Sequence, residues 1–342
     1  MPRRSAASRP PSILDVAKAA GVSHQTVSRV LNDSERVTPE TRERVRAAID
    51  AIGYRRNSVA RALVTRKSGI LGIITTSSWH YGPTSILLAV EIAARSAGYY
   101  TVVSPIDDDD DEAVRTTLDR FLGLPVEGLV FIAPTRDIVS DIGDAQLDIP
   151  LVAVIAAPVD SLPNAVVATI DQEAGTRELI HHLVSLGHVD IAHVGGPPRA
   201  YEARIRENVW RTMLSERGLR LRDLGARGWS AEVGYQEGRA MAKGDLPTAV
   251  FCANDEIALG MYRAFAESGI RIPEDVSVAG FDDLPQARYY RPALTTVAQD
   301  FEEIGRKIID TMIVAIGGST PDGVSLPSHL VVRASTAAPR GA

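Results

Sequence analysis

The apolar positions of this chain follow two periods, one before and one after residue 69. Before it, apolar side chains recur at the three- and four-residue spacing of a helix face. Segment 12–32 carries two such stripes, separated by Gly21, which can adopt the left-handed turn that ends a helix. Ser12 and Ser23 each precede one stripe and can cap a helix. The pattern therefore predicts two short helices joined by a tight turn.

A third apolar stripe follows a polar turn. Thr38 is suited to the cap of this helix and Pro39 to its first helical position, while Gly53 is suited to its end. Three short helices of this kind can share one small core. We expect Tyr54, just beyond the third helix, to close that core.

The second predicted helix presents polar side chains outward, namely His24, Gln25, Ser28, Arg29 and Asn32. A short helix with donors and acceptors near its exposed start is typical of the recognition helix of a helix-turn-helix. The alternative is an ordinary helical hairpin with a solvated outer face. We favour DNA binding because the run A-x-x-A-G-V-S-x-x-T-V-S-R-V-L-N is long and lies near the start of the chain.

After residue 69, short apolar runs alternate with helical stretches, which is typical of parallel strands with helices on both faces. We predict strands at 70–75, 100–104, 128–132, 151–155, 165–170, 191–194, 249–252 and 276–280. We predict helices at 85–97, 111–122, 172–186, 202–217, 232–243, 256–268 and 301–317. So many strands would not form one compact sheet. The predicted fold class is therefore α/β, with an all-α helix-turn-helix head and a two-lobed, doubly wound parallel-sheet core.

Charge divides the chain in the same way. Residues 1–67 hold 14 basic and 6 acidic side chains, whereas the remainder holds 23 basic and 37 acidic ones. A basic head on an acidic body is expected when only the head meets a polyanion. The single cysteine, Cys252, excludes an internal disulfide framework and fits a reducing cytoplasm. We expect a buried, inert thiol there, no signal peptide and no membrane span.

These features resemble the lactose and galactose repressor family of bacterial transcription regulators. Beyond the helix-turn-helix, the resemblance continues through 57–63, 178–187, 276–283 and 294–301, and so covers nearly the whole chain. It implies a core like that of periplasmic sugar-binding proteins, with three crossings between the lobes. The boundaries we predict are an arm at 1–11, a DNA-binding domain at 12–56, a hinge at 57–68 and a core at 69–342. The lobes would comprise 69–170 plus 300–328 and 171–299 plus 329–338.

The resemblance also implies a homodimer that binds a palindromic DNA operator. His24, Gln25 and Arg29 would read base edges. The phosphate contacts and helix position would fall to Ser12, Ser23, Thr26, Ser28 and Asn32. Asn57 would begin a hinge helix with Val59, Ala60 and Leu63, and Leu63 would enter the minor groove as a wedge. A simple linker is the alternative for this segment.

Polar and aromatic residues follow several predicted strands, where ligands of open α/β sheets bind. After 191–194, for example, come Glu202, Arg204 and Arg206. Carried over from the family, Arg206, Asn254 and Asp282 match positions that hold sugar hydroxyls, and Trp229 and Phe301 match positions that stack on the sugar ring. Thr76 and His80 match contacts from the first lobe. The structural alternative is that Asp282 and Asp283 cap a turn and that Asn254-Asp255 caps a helix. We expect Asp255 to be a helix cap.

Two residues depart from the family pattern. Ile132 and Ile155 occupy first-lobe positions where the lactose-responsive member has polar residues near the primary alcohol of its sugar. That end of the pocket is therefore more apolar. We expect an effector that lacks this hydroxyl or presents an aglycone or deoxy carbon there.

The favoured function is a transcriptional repressor, cytoplasmic and nucleoid-associated, that a sugar or glycoside releases from its operator. Within the same class, a purine or a phosphoprotein co-effector is the runner-up. A sugar-binding transport protein is a second class, disfavoured by the basic head. An α/β enzyme is a third, disfavoured because no catalytic constellation is found. We expect no cofactor and no metal, although 107–111 is a run of aspartates, and we expect dimers rather than tetramers because no leucine heptad follows 330–333.

Overall fold

The structure, a computed structural model, forms two compact units, Met1–Ser68 and Gly69–Ala342. It describes residues 11–31, 33–34, 36–54, 67–77, 79–107, 111–132, 147–156, 162, 164–224 and 227–340, without the side chains of 111 and 223. The predicted hinge helix and residues 1–10 of the predicted arm lie outside these ranges. So does most of the aspartate run at 107–111.

The first unit contains three helices around one small core. They are α1 (Ile13–Ala20), α2 (His24–Leu31) and α3 (Pro39–Ile52). Ser12 caps α1, where its hydroxyl accepts from the backbone N–H of Asp15, and Gly21 ends it in the left-handed conformation, as predicted. Their shared core is built from Val16, Ala17, Ala20, Val27, Val30, Val45 and Ala48, and Tyr54 packs against it.

The second unit alternates strands and helices, as the second period of the sequence predicts. Its strands are β1 (Ile70–Thr76), β2 (Tyr100–Ile106), β3 (Gly128–Ile132), β4 (Leu151–Val154), β5 (Val166–Ile170), β6 (Asp190–Val194), β7 (Arg220–Asp223), β8 (Ala249–Cys252), β9 (Ser277–Ala279), β10 (Thr296–Gln299), β11 (Val324–Leu326) and β12 (Ser328–Val331). Its helices are α4 (Tyr81–Ser96), α5 (Asp111–Leu122), α6 (Gln172–Ser185), α7 (Tyr201–Ser215), α8 (Ala231–Met241), α9 (Asp255–Glu267) and α10 (Phe301–Ile316), with a 3₁₀ turn at Ala287–Tyr289.

These strands form two parallel sheets, one in each lobe. The first has the order β11-β5-β4-β3-β1-β2 and the second the order β7-β6-β8-β9. An antiparallel pair, β10 and β12, is joined to the second sheet by two isolated bridges. Within the described chain, the backbone passes between the lobes at 170–172, 299–301 and 326–328, which are the three crossings that the family resemblance implied.

Each sheet is buried on both faces. One cluster around Phe121 and Phe131 and another around Val90 and Met312 pack against opposite faces of the first sheet. Trp210 lies fully buried in the corresponding core of the second lobe, as expected of a core residue. Because helices cover both faces of each sheet, the central strands consist of continuous apolar runs, and these runs made the strands predictable.

Four strands were not predicted from the sequence because they are short and have no apolar run. They are β7, β10, β11 and β12. In β7, Arg222 forms a salt bridge with Asp190 of the neighbouring strand β6. This edge strand of the second sheet therefore carries paired charges where the central strands have buried apolar side chains. Helix α4 begins at Tyr81, four residues before the predicted start, because Pro83 lies in its first turn, where proline is tolerated.

Among the described residues, no helix has both the length and the apolar character needed to cross a bilayer.

The contact between α8 and α9 depends on glycines and generates a stability prediction. A Cβ on Gly260 would overlap the carbonyl oxygen of Ala231, and one on Gly234 would overlap that of Ile257. We expect Gly260→Ala to lower the free energy of unfolding by at least about 2 kcal/mol, because backbone atoms must move apart. Urea unfolding measures the effect. Gly82→Ala in α4, where nothing lies nearer than 4.0 Å to the added carbon, is the matched control. Equal stability of the two variants would contradict this packing.

Candidate ligand cavity and nucleic-acid surface

A cavity of about 280 Å³ lies between the two lobes of the second unit. Its walls come from the ends of β3, β4 and β5 in the first lobe and from segments after β6, β8 and β9 in the second. Ligands of open α/β folds bind beyond the carboxyl ends of parallel strands. The cavity has the volume of a small-molecule site and the expected position for one.

The first-lobe wall of this cavity is mainly apolar. Ile132, Val154 and Ile155 end two adjacent strands, and Ile170 ends the next. The side chains of Ile132 and Ile155 are only 3% and 2% exposed, respectively. A ligand group that touches these strand ends therefore meets hydrocarbon.

Arg206 is the central polar group of the second-lobe wall and is buried. Its Nε and Nη2 donate to Oε1 of Gln172, at 3.0 and 2.7 Å, and its Nη1 donates to the carbonyl of Ala253. Its Nη2 also reaches Oδ1 of Asp282 at 3.4 Å. The guanidinium carbon lies 3.7 Å from the centroid of the Phe281 ring, so a cation–π contact supports it from below.

Asp282 completes this network from the turn after β9. Burial raises the pKa of its carboxyl to about 6, although Arg206 and a hydrogen bond from Gln299 both favour the charged form. Gln299 donates to Oδ1 at 2.7 Å and accepts from Gln172 at 2.8 Å. The backbone of Asp282 has a φ of 104°, which an L-residue rarely adopts. The strained backbone aims the carboxyl into the network.

Asn254 has two roles, and it corrects the assignment of Asp255 as the helix cap. Asn254 is the N-cap of α9: its Oδ1 accepts from the N–H of Ile257 at 2.8 Å, while its side chain lines the cavity. Asp255 is the first helical residue and turns inward, where it accepts from Leu284 and Thr296. Burial raises its pKa well above the usual range.

Aromatic rings close the rim of the cavity. His80 and Trp229 meet edge to face with centroids 6.4 Å apart, and Tyr81 and Phe301 do so at 5.6 Å. Gly196 makes room for Trp229, because a Cβ there would overlap the indole ring. These rings offer flat apolar faces beside the Arg206 network.

Most of the predicted ligand residues therefore gather around one cavity. Those that line it are His80, Ile132, Ile155, Arg206, Trp229, Asn254, Asp282 and Phe301. Thr76 does not line it: β1 is one residue longer than predicted, and Thr76 is paired in register with Ile106 and buried. The prediction of a Thr76 contact is therefore not supported by this geometry.

Several lining residues had not been assigned from the sequence, and Glu202 is the most unusual of them. The others include Tyr81, Gln172, Arg199 and Gln299. Glu202 lies in the first turn of α7, and its Oε2 is buried without a hydrogen-bond partner among the described residues. Burial raises the pKa of its carboxyl to about 7, against the opposing effects of its own backbone N–H and of Arg206. The spacing i, i+4 to Arg206 was the available signal, since it places both side chains on one helix face.

The outer surface of α2 carries the predicted base-reading side chains. His24, Gln25 and Arg29 are exposed, whereas Val27 and Val30 are buried beneath them. Ser23 caps the helix, since its Oγ accepts from the N–H of Thr26 at 3.2 Å. Ser28 is half-buried. The predicted contacts Asn32, Asn57, Val59, Ala60 and Leu63 lie outside the described residues.

Two other candidates from the sequence are Cys252 and the aspartate run at 107–111. Cys252 is buried, and burial raises its pKa, which agrees with an inert thiol. No group of three metal-ligating side chains occurs among the described residues, which include Asp107 but not 108–110.

Residues 12–57 match the family described as bacterial regulatory proteins, lacI family, and residues 180–336 match the periplasmic binding protein-like domain. The chain is 36% identical to the lactose operon repressor of Escherichia coli (strain K12) over 335 residues, which covers 97% of this chain and 92% of that protein. It is 30% identical to catabolite control protein A of Priestia megaterium over 337 residues, 95% of this chain and 99% of that protein. The relatives are regulators, as predicted, and not enzymes.

Solved structures agree with this relationship. The crystal structure of the Lac repressor dimer bound to operator and the anti-inducer ONPF superposes with a TM-score of 0.87 at 35% identity. The match covers 96% of this chain and all of that one. The predicted two-lobed fold with a helix-turn-helix head is thereby confirmed.

The Arg206 network generates a double-mutant prediction. Removing one partner of a buried ion pair leaves the other charge uncompensated, so we expect Arg206→Leu to lower the free energy of unfolding by about 3–5 kcal/mol. Arg206→Leu combined with Asp282→Leu should cost less than the sum of the two single changes by at least about 1 kcal/mol. Urea unfolding at pH 7.5 measures all three variants. Strict additivity would show that the two side chains do not interact.

Proposed function

This chain belongs to the lacI family of bacterial regulatory proteins, and from that membership we propose that it is an operator-binding transcriptional repressor released by a sugar or glycoside. A repressor that binds operators on the chromosome would act in the cytoplasm, on the nucleoid. Both relatives named above carry regulatory names, and one is the lactose operon repressor. The proposal assigns the head to DNA and the cavity to the effector.

The observation that supports a sugar effector is the convergence of Arg206, Asn254 and Asp282 beside Trp229 and Phe301. Planar donors and acceptors suit pairs of sugar hydroxyls, because each can make two hydrogen bonds in one plane. Aromatic faces suit the apolar face of a sugar ring. An apolar opposite wall leaves room for an aglycone. Together these groups favour a glycoside over a charged metabolite.

The outer surface of α2 is the proposed reading surface. Gln25 and Arg29 are exposed on it and have the bidentate chemistry that suits adenine and guanine edges, respectively. His24 would add a base contact. Ser12, Ser23, Thr26, Ser28 and Asn32 would hold phosphates and set the position of the helix. Asn57, Val59, Ala60 and Leu63 would form the hinge segment in the minor groove.

A second copy of this chain is the proposed partner, and an apolar surface on the first lobe supports it. Large apolar side chains are exposed on α4 and on the neighbouring edge strand β2. They are Leu88 at 61%, Ile92 at 47%, Tyr100 at 77%, Val102 at 38% and Val103 at 38% exposure. Leu88 and Ile92 lie one turn apart on α4, and exposed apolar side chains that cluster in this way mark interaction surfaces more often than free surface. A symmetric pairing through this surface would give the two-fold arrangement that a palindromic operator needs.

The proposed switch is a population shift. An effector that bridges the apolar wall of the first lobe and the polar wall of the second stabilises a closed arrangement of the lobes. If operator DNA prefers the open arrangement, effector binding lowers operator affinity by its differential affinity for the two states. No direct contact between effector and DNA is required.

The test of this function is a gel shift with an operator selected by the purified protein from a random duplex library. We expect a palindromic site and release of the protein by a sugar found in a thermal-shift screen. Selection of no defined sequence would contradict operator binding. Selection of a site that no sugar releases would contradict the sugar effector alone.

Removal of Arg29 tests the reading surface. We expect Arg29→Ala to weaken binding to the selected operator about 10- to 100-fold, since a bidentate contact with guanine is worth about 1–3 kcal/mol. Arg44→Ala, which removes the same charge from an exposed position on α3, is the matched control and should have a much smaller effect. Equal losses in both variants would point to a purely electrostatic contribution.

The apolar wall predicts a preference among sugars. Phenyl β-D-xyloside has no primary alcohol, whereas phenyl β-D-glucoside does. Burying that hydroxyl against Ile132 and Ile155 without a partner costs about 1–3 kcal/mol, so the xyloside should bind at least as tightly as the glucoside. Calorimetry measures the difference. Ile155→Asn should shift the preference towards the glucoside, and a clear preference of the unaltered protein for the glucoside would overturn the prediction.

A further inference from the structure

The polar groups assigned so far in the cavity already have partners within the protein. Arg206 donates to Gln172, Ala253 and Asp282. Asp282 accepts from Gln299, and Asn254 is engaged by the backbone of α9 and by the carbonyl of Trp229. An effector that binds them must share or replace these hydrogen bonds.

Glu202 differs from them because one of its oxygens is buried and unsatisfied within the described part of the chain. Its side chain lines the cavity from the first turn of α7, and Oε2 has no hydrogen-bond partner there. Buried polar atoms are nearly always hydrogen-bonded, so each exception needs an explanation such as a ligand or a water molecule. Because Glu202 lines the cavity, a ligand bound there is the candidate partner for its carboxyl group.

The neighbours of Glu202 define the charge that such a ligand can carry. Arg206 is on the same helix one turn later, and Asp282 faces both from the turn after β9. His80 and Tyr81 line the cavity from the start of α4, and Arg199 does so from the segment before α7. An anionic group beside two carboxyls would meet repulsion, whereas a hydroxyl would supply the missing donor.

We propose that Glu202 is a specificity-determining residue of the cavity, whose carboxyl accepts a hydrogen bond from one hydroxyl of a neutral sugar or glycoside. This inference rests on the proposed sugar effector and adds the residue that selects among sugars. A hydroxyl that donates to a carboxylate forms a strong, charge-assisted hydrogen bond. A sugar that lacks this hydroxyl leaves the carboxyl buried and unpaired, which disfavours its binding.

The proposal has a pH signature with a defined sign. The pKa of Glu202 in the empty cavity is raised to about 7 by burial. A donated hydroxyl stabilises the carboxylate and lowers that pKa in the complex. Binding therefore releases a proton below about pH 7, and affinity rises as the pH increases from 5.5 to 8.0. Asp282, whose pKa is raised to about 6, titrates in the same cavity, so the contribution of Glu202 is the part that disappears when Glu202 is replaced.

The experiment is calorimetry on the full chain with phenyl β-D-galactoside, phenyl β-D-glucoside and phenyl β-D-xyloside at pH 5.5 and 8.0. Glu202→Gln keeps the shape of the side chain and removes the charge. We expect it to weaken the tightest of these ligands at pH 8.0 by about tenfold or more and to reduce the pH dependence. Glu232→Gln, in the exposed first turn of α8, is the matched control and should leave both unchanged.

Monodeoxy analogues of the tightest ligand identify the hydroxyl. One analogue should bind weakly to the unaltered protein, and the same deletion should cost much less in Glu202→Gln. The release of a proton, measured on the unaltered protein in two buffers of different ionisation enthalpy, supplies a readout that needs no variant.

Two failures are distinguishable. Equal sugar affinity in Glu202→Gln and the unaltered protein, with no proton released, would overturn the role of Glu202 and leave the sugar effector intact. Absence of binding by all three glycosides to the unaltered protein, at millimolar concentration, would overturn the proposed effector class and this inference with it.

Discussion

The effector domain is organised around the hydrogen bonds and the ion pair of one buried group, the guanidinium of Arg206. A buried cation is stable only when it is paired and hydrogen-bonded. Its partner Gln172 directly follows the crossing at the end of β5. Gln299, which accepts from Gln172 and donates to Asp282, directly precedes the crossing into α10. Asp282 joins the same network. A ligand that alters these hydrogen bonds therefore acts where the lobes are connected.

The two walls of the cavity offer a ligand different kinds of contact. The first lobe contributes mainly hydrocarbon from strand ends such as Ile132 and Ile155, while the second contributes Arg206 and the carboxyls. A ligand with one polar face and one apolar end satisfies both walls only when they approach each other. Its binding free energy is then available to change the lobe arrangement, which is the thermodynamic requirement for a switch. The same asymmetry distinguishes this cavity from one lined with polar groups on both sides.

Sequence patterns predicted the central strands because burial on both faces demands continuous apolar runs, as in β3 and β8. They missed β7, where charge pairing replaces apolar burial. Eight of the cavity-lining residues could be carried over from a family, since they lie at or after strand ends. Spacing places Glu202 on the same helix face as Arg206, but its particular significance depends on an unpaired buried oxygen, which is a three-dimensional property. Asp255 was misassigned for the same reason: a cap and the first helical residue cannot be told apart without backbone angles.

The central claim is that the cavity and the helix-turn-helix head are thermodynamically coupled. By linkage, an effector that weakens operator binding must itself bind more weakly when the operator is present, and by the same factor. The most direct measurement is therefore calorimetric titration of the sugar effector into the protein with and without saturating operator DNA. The account predicts an affinity at least about fivefold lower in the presence of the operator, with the same factor recovered from operator affinity measured with and without the sugar. Identical sugar affinities in the two titrations would contradict it.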